Sequence, residues 1–458
     1  MKIVICGAGQ VGFNIARQLS AEGNDVTIID QESSRINRVA SVLDVQAIVG
    51  FASHPGVLEQ AGIRDADMLI AVTREDEINM AACQIAHSLF KIPLKIARIR
   101  EQNYLKPEWA DLFSRDNLPI DVIISPEIEV ARAIARRLEV PGAFDVIPLA
   151  DGKVKLIGLH CLEDCPVVNT RILQLNELFP DLHITLVGVV RNNELIVPGA
   201  DDQMLTGDDV YFIAESTHVM RAMASFGHEE PEARRVCIIG GGNVGVFLAK
   251  EIEEKHHDMH LKLIELDRDR AELISEKLGR TVVLHGDALD LQLLDEMNVR
   301  AAEVVIAVTN NDEVNILGSL LAKRQGCPRI ITIVNNETYA TLVGWLGVDT
   351  VVSPRLITVS SILQHVRRGR IRGVHSIHEG AGEIIEADAL ETSSLVGKPL
   401  REVHLPEGIM IGAIVREDEV IMPRGGTSIM TGDRVILFAV AGAIKNVEEM
   451  FSVGLEFF

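Results

Sequence analysis

The chain is short of aromatic residues, of positive charge and of long apolar runs, and each shortage closes a class of answers. Only 4% of the 458 residues are aromatic against 47% that are apolar, so its cores must be built from Val, Ile, Leu and Ala, the filling of α/β domains. Acidic residues outnumber basic ones, 66 to 44, for a net charge of −22. That sign opposes binding to nucleic acid or to an anionic lipid surface, so any membrane association has to run through a protein partner. No apolar run approaches the roughly 20 residues needed to span a bilayer, and the first residues read as a strand rather than a signal peptide, so a soluble, cytoplasmic chain is expected. The six cysteines are Cys6, Cys83, Cys161, Cys165, Cys237 and Cys327. Cys6 and Cys237 fall in buried-strand patterns, and Cys161 and Cys165 have no second pair nearby. Neither a disulfide framework nor a zinc site is therefore expected, and a reducing compartment fits. The length calls for two to four domains.

What is present is a repeated sentence. In Val4–Asp30 a short apolar run leads into Gly7, Gly9 and Gly12, then into a helical pattern carrying Val11, Ile15 and Leu19, then into a second apolar run ending at Asp30. Strand, glycine turn, helix, strand and acid is the order of a dinucleotide-binding βαβ unit. The first glycine lets the chain turn tightly, the second lets backbone N–H groups approach a diphosphate, and the third lets helix and sheet pack closely. The candidate binding residues here are Gly7, Ala8, Gly9, Gln10, Val11 and Gly12. Asp30 can accept hydrogen bonds from a ribose 2′-OH and would repel a 2′-phosphate, which favours NAD(H) over NADP(H). The same order returns with Val236–Ile239 as strand, Gly240, Gly242 and Gly245 as turn with Asn243 and Val244 as candidate binding residues between them, Val244–Ile252 as helix, and Glu265 in the place of Asp30.

Further along the first half, Val45–Val49 reads as a third strand leaving through Gly50, and Met68–Val72 as a fourth leading into Thr73. Lys95–Ile99 is a fifth strand, with Arg98 and Arg100 at its end, and Val122–Ile124 a sixth. Six βα units of this length make a doubly wound parallel sheet. Ser125-Pro126 starts a helix over 127–139, and Pro141-Gly142 marks a boundary. Beyond it, short strands over 144–149, 154–160, 183–191, 194–197 and 209–214, with one helix over 169–178, predict a small α+β domain. The second half repeats this plan. Thr309 stands 236 residues after Thr73, Gly286 the same distance after Gly50 and followed by Asp287, and Thr431-Gly432-Asp433 echoes Thr206-Gly207-Asp208. The expected fold class is α/β: two doubly wound Rossmann-like domains, 1–140 and 232–370, each followed by a small α+β domain, 141–228 and 371–458, by tandem duplication.

The halves differ where Ala97-Arg98-Ile99-Arg100 faces Thr332-Ile333-Val334-Asn335. Strand-end arginines beside the crevice can grip phosphates bidentately or serve surface ion pairs, and both readings stand at this point. No catalytic set emerges. His54 and His285 read as turn or helix-start residues, the stretch around His256-His257 as a solvated loop, and the polar residues of the small domains as turn chemistry.

The segments GAGQVG with Asp30, VTREDEINMAACQIA, IARIR, IGGGNVG with Glu265, HGDA and VTNNDEVNI resemble the regulatory subunits of bacterial Trk potassium-uptake systems, which are built from regulator of potassium conductance domains. The resemblance spans the whole chain. It implies a regulator and not an enzyme, with no catalytic residues and no metal. It implies NAD(H) binding, with ATP or ADP as further ligands, at the glycine turns, Asp30, Glu265, Gly50, Gly286, Asp287, Thr73, Thr309, Arg98 and Arg100. It also implies a homotetrameric ring held peripherally on the cytoplasmic face of the plasma membrane by an integral membrane potassium transporter subunit of the TrkH/TrkG type. A regulator of another potassium channel or antiporter, and a soluble NAD-dependent oxidoreductase, are the alternatives.

Overall fold

A computed structural model describes residues 1–178, 183–366 and 371–451; the end of the expected second small domain, 452–458, and residues 367–370 lie outside the described residues. The first six strands are β1 (Lys2–Cys6), β2 (Asp25–Asp30), β3 (Gln46–Val49), β4 (Met68–Ala71), β5 (Leu94–Arg98) and β6 (Val122–Ile124), connected by α1 (Gln10–Ala21), α2 (Ser33–Val42), α3 (Pro55–Gln60) and α4 (Asp76–Phe90). They form a parallel sheet in the order β3-β2-β1-β4-β5-β6. After α5 (Pro126–Glu139) come β7 (Ala143–Leu149), β8 (Val154–His160), α6 (Ile172–Leu178), β9 (Ile184–Arg191), β10 (Glu194–Ile196), β11 (Asp209–Glu215) and α7 (Val219–Ser225), whose strands make an antiparallel sheet in the order β10-β9-β11-β8-β7.

The plan then repeats. β12 (Arg235–Ile239), β13 (His260–Glu265), β14 (Val282–His285), β15 (Val304–Ala307), β16 (Arg329–Ile333) and β17 (Thr350–Val352) form a parallel sheet in the order β14-β13-β12-β15-β16-β17. Its helices are α8 (Asn243–Lys255), α9 (Arg268–Lys277), α10 (Leu291–Glu296), α11 (Asp312–Arg324), α12 (Glu337–Val343) and α13 (Pro354–Leu363). The last sheet holds β18 (Ile371–Ile377), β19 (Gly382–Asp388), β20 (Ile409–Arg416), β21 (Glu419–Ile421) and β22 (Arg434–Val440) in the order β18-β19-β22-β20-β21, followed by α14 (Ile444–Met450). The duplicated α/β plan expected from the sequence is thus what the chain adopts. One helix was not foreseen in the first small domain. The seven-residue α7 buries Val219, Ala222 and Met223, but two turns are too short for a helical period to stand out.

Side-chain alternation explains how each parallel sheet is covered. In β1, Ile3 and Ile5 point to one face with Ile15 and Leu19 of α1, while Val4 and Cys6 point to the other with Leu58 of α3 and Cys83 of α4. Contacts divide the chain into two compact units, one of Met1–Glu129 with Arg355–Val366, the other of Val130–Pro354 with the chain beyond Val366. In the first unit, Val359, Ile362, Leu363 and Val366 complete the α1 side of the β1–β6 sheet. These residues follow the second parallel sheet in sequence, yet they are core residues of the first. Conversely α5, which directly follows β6, belongs from Val130 onward to the second unit. The local cause is the connection. A single serine, Ser125 or Ser353, separates strand from helix, and a proline opens the helix, which leaves no loop to fold it back over its own sheet.

In the second unit the two small sheets share a core, with Leu156, Val187 and Ile213 packed among Ile384, Ile436 and Phe438. The acids of the two Thr-Gly-Asp turns are more than turn chemistry. Asp208 and Asp433 are each 2% exposed, and each receives Nε and Nη2 of an arginine, Arg191 at 2.9 and 2.7 Å and Arg416 at 2.9 and 2.8 Å. Backbone N–H groups of Leu205 and Met430 complete these sites at 2.7 and 2.8 Å.

His375 on β18 lies with Nε2 4.0 Å from Glu386 Oε1, and burial, aided by the charge of Arg136, pushes it down from 6.5 to about 4. Because its folded value lies below the unfolded one, the stability carried by the neutral ring is present above pH 6.5 and is lost as pH falls toward about 4. His375→Asn should therefore lose less of its thermal midpoint than the parent between pH 6.5 and about 4. Glu386, pushed up by burial, works in the opposite sense and is retained in both proteins. An identical acid slope in the two proteins would refute the assignment.

Candidate functional site

The three glycines of each turn do different jobs. Gly7 and Gly240 both sit at φ +108°, where side-chain-bearing residues rarely go, and a Cβ there would lie 2.9 Å from Thr73 N or from Thr309 Cγ2. Gly12 and Gly245 are closed from the other side, for a Cβ would lie 1.9 Å from Gly7 O or 2.0 Å from Gly240 O. Gly9 and Gly242 are different. Their backbones (φ −68°, ψ −175° and φ −64°, ψ −178°) are extended and open to any residue, and a Cβ on either would meet no protein atom within 4 Å. Neither conformation nor packing asks for glycine at these two positions.

Both are N-cap residues. α1 and α8 start there with no side-chain cap and no acid in the first turn. Gln10 and Asn243 are exposed on that first turn, and Val11 and Val244 are half-buried. First-turn N–H groups have no acceptor within a helix, and the macrodipole places partial positive charge there, so each turn offers donors and field to an anion.

Asp30 and Glu265 lie beside the turns as expected, and they also brace them. Asp30 Oδ2 accepts from Ala8 N at 2.7 Å and Oδ1 from Glu32 N at 2.9 Å, while Glu265 Oε2 accepts from Gly241 N at 2.8 Å and Oε1 from Asp267 N at 2.9 Å. Each carboxylate oxygen has lone-pair capacity beyond one N–H, so a diol can be added without breaking the brace. Gly50 N and Gly286 N donate to the carbonyls of Asp30 and Glu265, both at 2.9 Å, which sets the third-strand exits next to the acids. Their lack of a side chain answers to packing against Val57 and Leu293, and Asp287 Oδ1 is engaged by Leu289 N at 2.9 Å.

Across each crevice a buried asparagine fixes the loop after the fourth strand. Asn79 Oδ1 accepts from Thr73 N at 2.9 Å and from Thr73 Oγ1 at 2.7 Å, and its Nδ2 donates to Arg98 O at 2.9 Å. Asn315 does the same with Thr309, at 2.8 and 2.6 Å, and with Ile333 O at 3.1 Å. Both asparagines are fully buried. Their identical spacing after Thr73 and Thr309 is the sign in the sequence that they hold those threonines.

The two strand-end arginines part company. Arg98 stays at the crevice, with Nη2 donating to Thr73 O at 2.7 Å and Nε left without a partner, and burial followed by the charge of Arg100 lowers its guanidinium from its ordinary value. Arg100 turns to Glu127, Nε to Oε1 at 2.8 Å. The second site has Ile333 and Asn335 at these positions, with Asn335 Nδ2 on Asp312 Oδ1 at 2.9 Å. A cation unforeseen from the sequence lies against its turn: Arg270 Nε donates to Gly241 O at 2.7 Å. The matching Arg35 in the first half stands 3.7 Å from Asp30 and 2.8 Å from Glu32. Both arginines come five residues after their acid, which was the readable sign.

Other candidates fall elsewhere. All six cysteines are free and buried. His54 directly precedes α3 and His285 ends β14. His256 is no solvated-loop residue: it closes α8, 23% exposed, with Nε2 3.9 Å from Glu139 Oε1. Among the described residues no group of three or more His, Cys, Asp or Glu side chains could hold a metal ion, and no helix is long and apolar enough to cross a membrane.

The TrkA-N domain matches residues 3–126 and 236–354, and the TrkA-C domain residues 162–227 and 384–452. The chain belongs to the TrkA family. It is 54% identical over 458 residues, the whole of both chains, to the Trk system potassium uptake protein TrkA of Azorhizobium caulinodans, and 42% identical, again over the whole of both, to that of Halomonas elongata. Among solved structures it is similar to the GsuK channel, with a TM-score of 0.61 at 19% identity, covering 98% of this chain and 78% of that one. A GsuK channel bound to NAD matches with a TM-score of 0.59 at the same identity and coverage.

Substitutions should separate the glycines by role. Gly12→Ala drives a methyl into the Gly7 carbonyl and should cost about 1–3 kcal/mol of stability, and Gly245→Ala the same in the second half. Gly9→Ala and Gly242→Ala should change stability by less than about 1 kcal/mol. Denaturant midpoints of the four variants check this; equal losses at all four positions would contradict it.

Proposed function

We propose that the protein is a nucleotide-binding regulatory subunit of a Trk potassium-uptake system that takes NAD(H) and adenine nucleotides at both glycine turns. It is a regulator and not an enzyme, seated peripherally on the cytoplasmic face of the membrane through an integral membrane potassium transporter subunit and assembled as a homotetrameric ring. The observation that carries the nucleotide reading is the pair Gly9 and Gly242, glycines that the protein's own conformation and packing do not require, each at an uncapped helix start. Family membership supplies the transport system, and the NAD in the GsuK structure, a protein of the same fold, supports the ligand class. The chain-order division into domains 1–140, 141–228, 232–370 and 371–458 goes with this proposal.

In this reading Gly9 and Gly242, with the N–H groups of α1 and α8, hold the diphosphate, while Asp30 and Glu265 accept ribose hydroxyls. Gly7, Gly12, Gly240 and Gly245 shape the turns, and Thr73 and Thr309 form the opposite lip. Arg98, held at the first crevice by one hydrogen bond to Thr73 O, supplies charge for a further phosphate, as ATP carries. A ligand shifts a ring between two shapes only by its difference in affinity for them, so two inequivalent sites per chain let two nucleotides bias the transporter differently.

Calorimetric titration of the full chain should give tighter binding of NADH than of NADPH, because a 2′-phosphate would meet Asp30 or Glu265; equal or tighter NADPH binding would defeat the assignment. Gly9→Val should abolish binding at the first site while leaving the second. Arg98→Ala should weaken ATP roughly ten-fold, for a charge-assisted hydrogen bond contributes about 1.5–3 kcal/mol, with a smaller loss of NADH. Arg100→Ala should do less, its guanidinium being occupied by Glu127. Co-purification with the potassium transporter from membranes tests the partner.

A further inference from the structure

Two of the six thiols stand together at a turn whose twin in the second half carries no cysteine. Cys161 and Cys165 follow β8, where Cys161 N donates to Asp208 O and Cys161 O accepts from Gly207 N, both at 2.8 Å, and Cys165 N donates to Leu162 O at 3.2 Å. After β19 the second half repeats the turn bond for bond, Ala389 N to Asp433 O and Gly432 N to Ala389 O at 2.8 Å, and Ser393 N to Leu390 O at 2.9 Å. Alanine and serine thus hold the places of the two cysteines, and they are as well buried, 1% and 6% exposed against 2% and 6%. Neither the backbone nor the packing of this turn asks for sulfur.

What the thiols add is chemistry between them. The hydrogen bond from Cys161 holds the Cys165 thiol below its ordinary value against the opposing effect of burial, aided by the backbone N–H groups of Val167 and Val168 and by the charge of His228. The same bond, together with burial, pushes the Cys161 thiol up. His228 is itself buried and faces an acceptor with each ring nitrogen, Glu230 Oε1 at 3.2 Å from Nδ1 and His160 O at 3.0 Å from Nε2, and only an imidazolium donates at both. A sulfur disposed to ionise, with a second thiol hydrogen-bonded to it, is the arrangement of an attacking and a resolving cysteine. We propose that Cys161 and Cys165 form a reversible disulfide, an oxidant-responsive modification site at the end of β8.

With hydrogen peroxide as the oxidant the steps balance. The Cys165 thiolate attacks one peroxide oxygen, an S–O bond forms as the O–O bond breaks, and the departing hydroxide takes up a proton as water. The Cys161 sulfur then attacks the sulfur of this sulfenic acid, the S–S bond forms as the S–O bond breaks, and the leaving hydroxide carries off the Cys161 proton as a second water. The two sulfurs lose the two electrons that the peroxide gains. Both thiols are buried, which favours so small an oxidant over the disulfide of another protein. Closing the bridge brings the sulfurs to about 2 Å and removes the thiolate that Val167 and Val168 face. The turn adjoins two further segments: Asn169 N donates to Met204 O at 2.9 Å, and a Cβ on Gly227 would lie 3.3 Å from Pro166 Cδ, so the chain that leaves α7 for β12 runs against it.

Mass spectrometry of the full chain after sub-millimolar hydrogen peroxide and alkylation of the remaining thiols reads the site directly, since trypsin releases both cysteines in one peptide, 156–171. The expected product is that peptide unalkylated and lighter by two hydrogens, returned to the dithiol by dithiothreitol, while Cys6, Cys83, Cys237 and Cys327 still alkylate. Cys161→Ala should stop the reaction at a sulfenic acid on Cys165 that dimedone traps, and Cys165→Ser should slow loss of the Cys161 thiol at least ten-fold. Each introduces the residue that the second half carries at that place, and circular dichroism checks the fold; should either variant unfold, the wild-type product decides. No bridged peptide at peroxide levels that leave the other four thiols free, a bridge that dithiothreitol does not reopen, or no dimedone adduct in folded Cys161→Ala would each overturn the proposal.

Discussion

The approach of one backbone to another at Gly12 and Gly245 sets the geometry on which the rest depends. A helix can start directly over the turn that precedes it only if nothing stands between its third residue and the carbonyl of the first glycine, and here even a methyl group would overlap that carbonyl. From this contact follow the direction of α1 and α8, the exposure of their first N–H groups at the sheet's C-terminal edge, and the position of Asp30 and Glu265, whose carboxylates then reach Ala8 N and Gly241 N. The acids are therefore part of the turn's architecture before any ribose arrives. Removing one would disturb the turn as well as the ligand, whereas Gly9 and Gly242 can be altered without touching a protein atom.

Duplication supplied two copies of this arrangement, and divergence acted on what surrounds it. The turn, the brace and the asparagine lock survive in both halves with nearly the same distances. The cations survive only in part. Arg35 and Arg270 hold matching positions, but Arg270 Nε donates to Gly241 O whereas Arg35 pairs with Glu32 at 2.8 Å, and only the first crevice keeps a strand-end arginine, Arg98, where the second has Ile333. The two crevices therefore present charge differently.

The sequence made the parallel sheets and the turns legible because their signals are local: apolar runs, glycine spacing, a strand-end acid. It did not reveal which compact unit α5 and α13 join, since both helices start at a Ser-Pro pair and the choice is made by packing between segments distant in sequence. Asp208 and Asp433 read as turn residues because a Thr-Gly-Asp turn is polar on its face, and only tertiary structure brings Arg191 and Arg416 across to them. Arg98 and Arg100 looked equivalent in IARIR, and the acid that separates them, Glu127, lies on another element.

The assignment of α13 to the first unit also bears on why the duplication is kept in one chain. Ile362 is fully buried, and Val359, Leu363 and Val366 are 4%, 1% and 1% exposed, so the sheet that carries the first glycine turn has part of its core supplied from beyond residue 354. Burying large aliphatic side chains of this kind contributes roughly 1.5–3 kcal/mol each, and the four together are comparable with the whole margin by which a domain is stable. The first parallel sheet is thus completed only after the second has been synthesised. Neither half is a self-sufficient module, and a change that loosens α13 acts on the first site through its core, without contact with the ligand and without any change to the residues that form the turn.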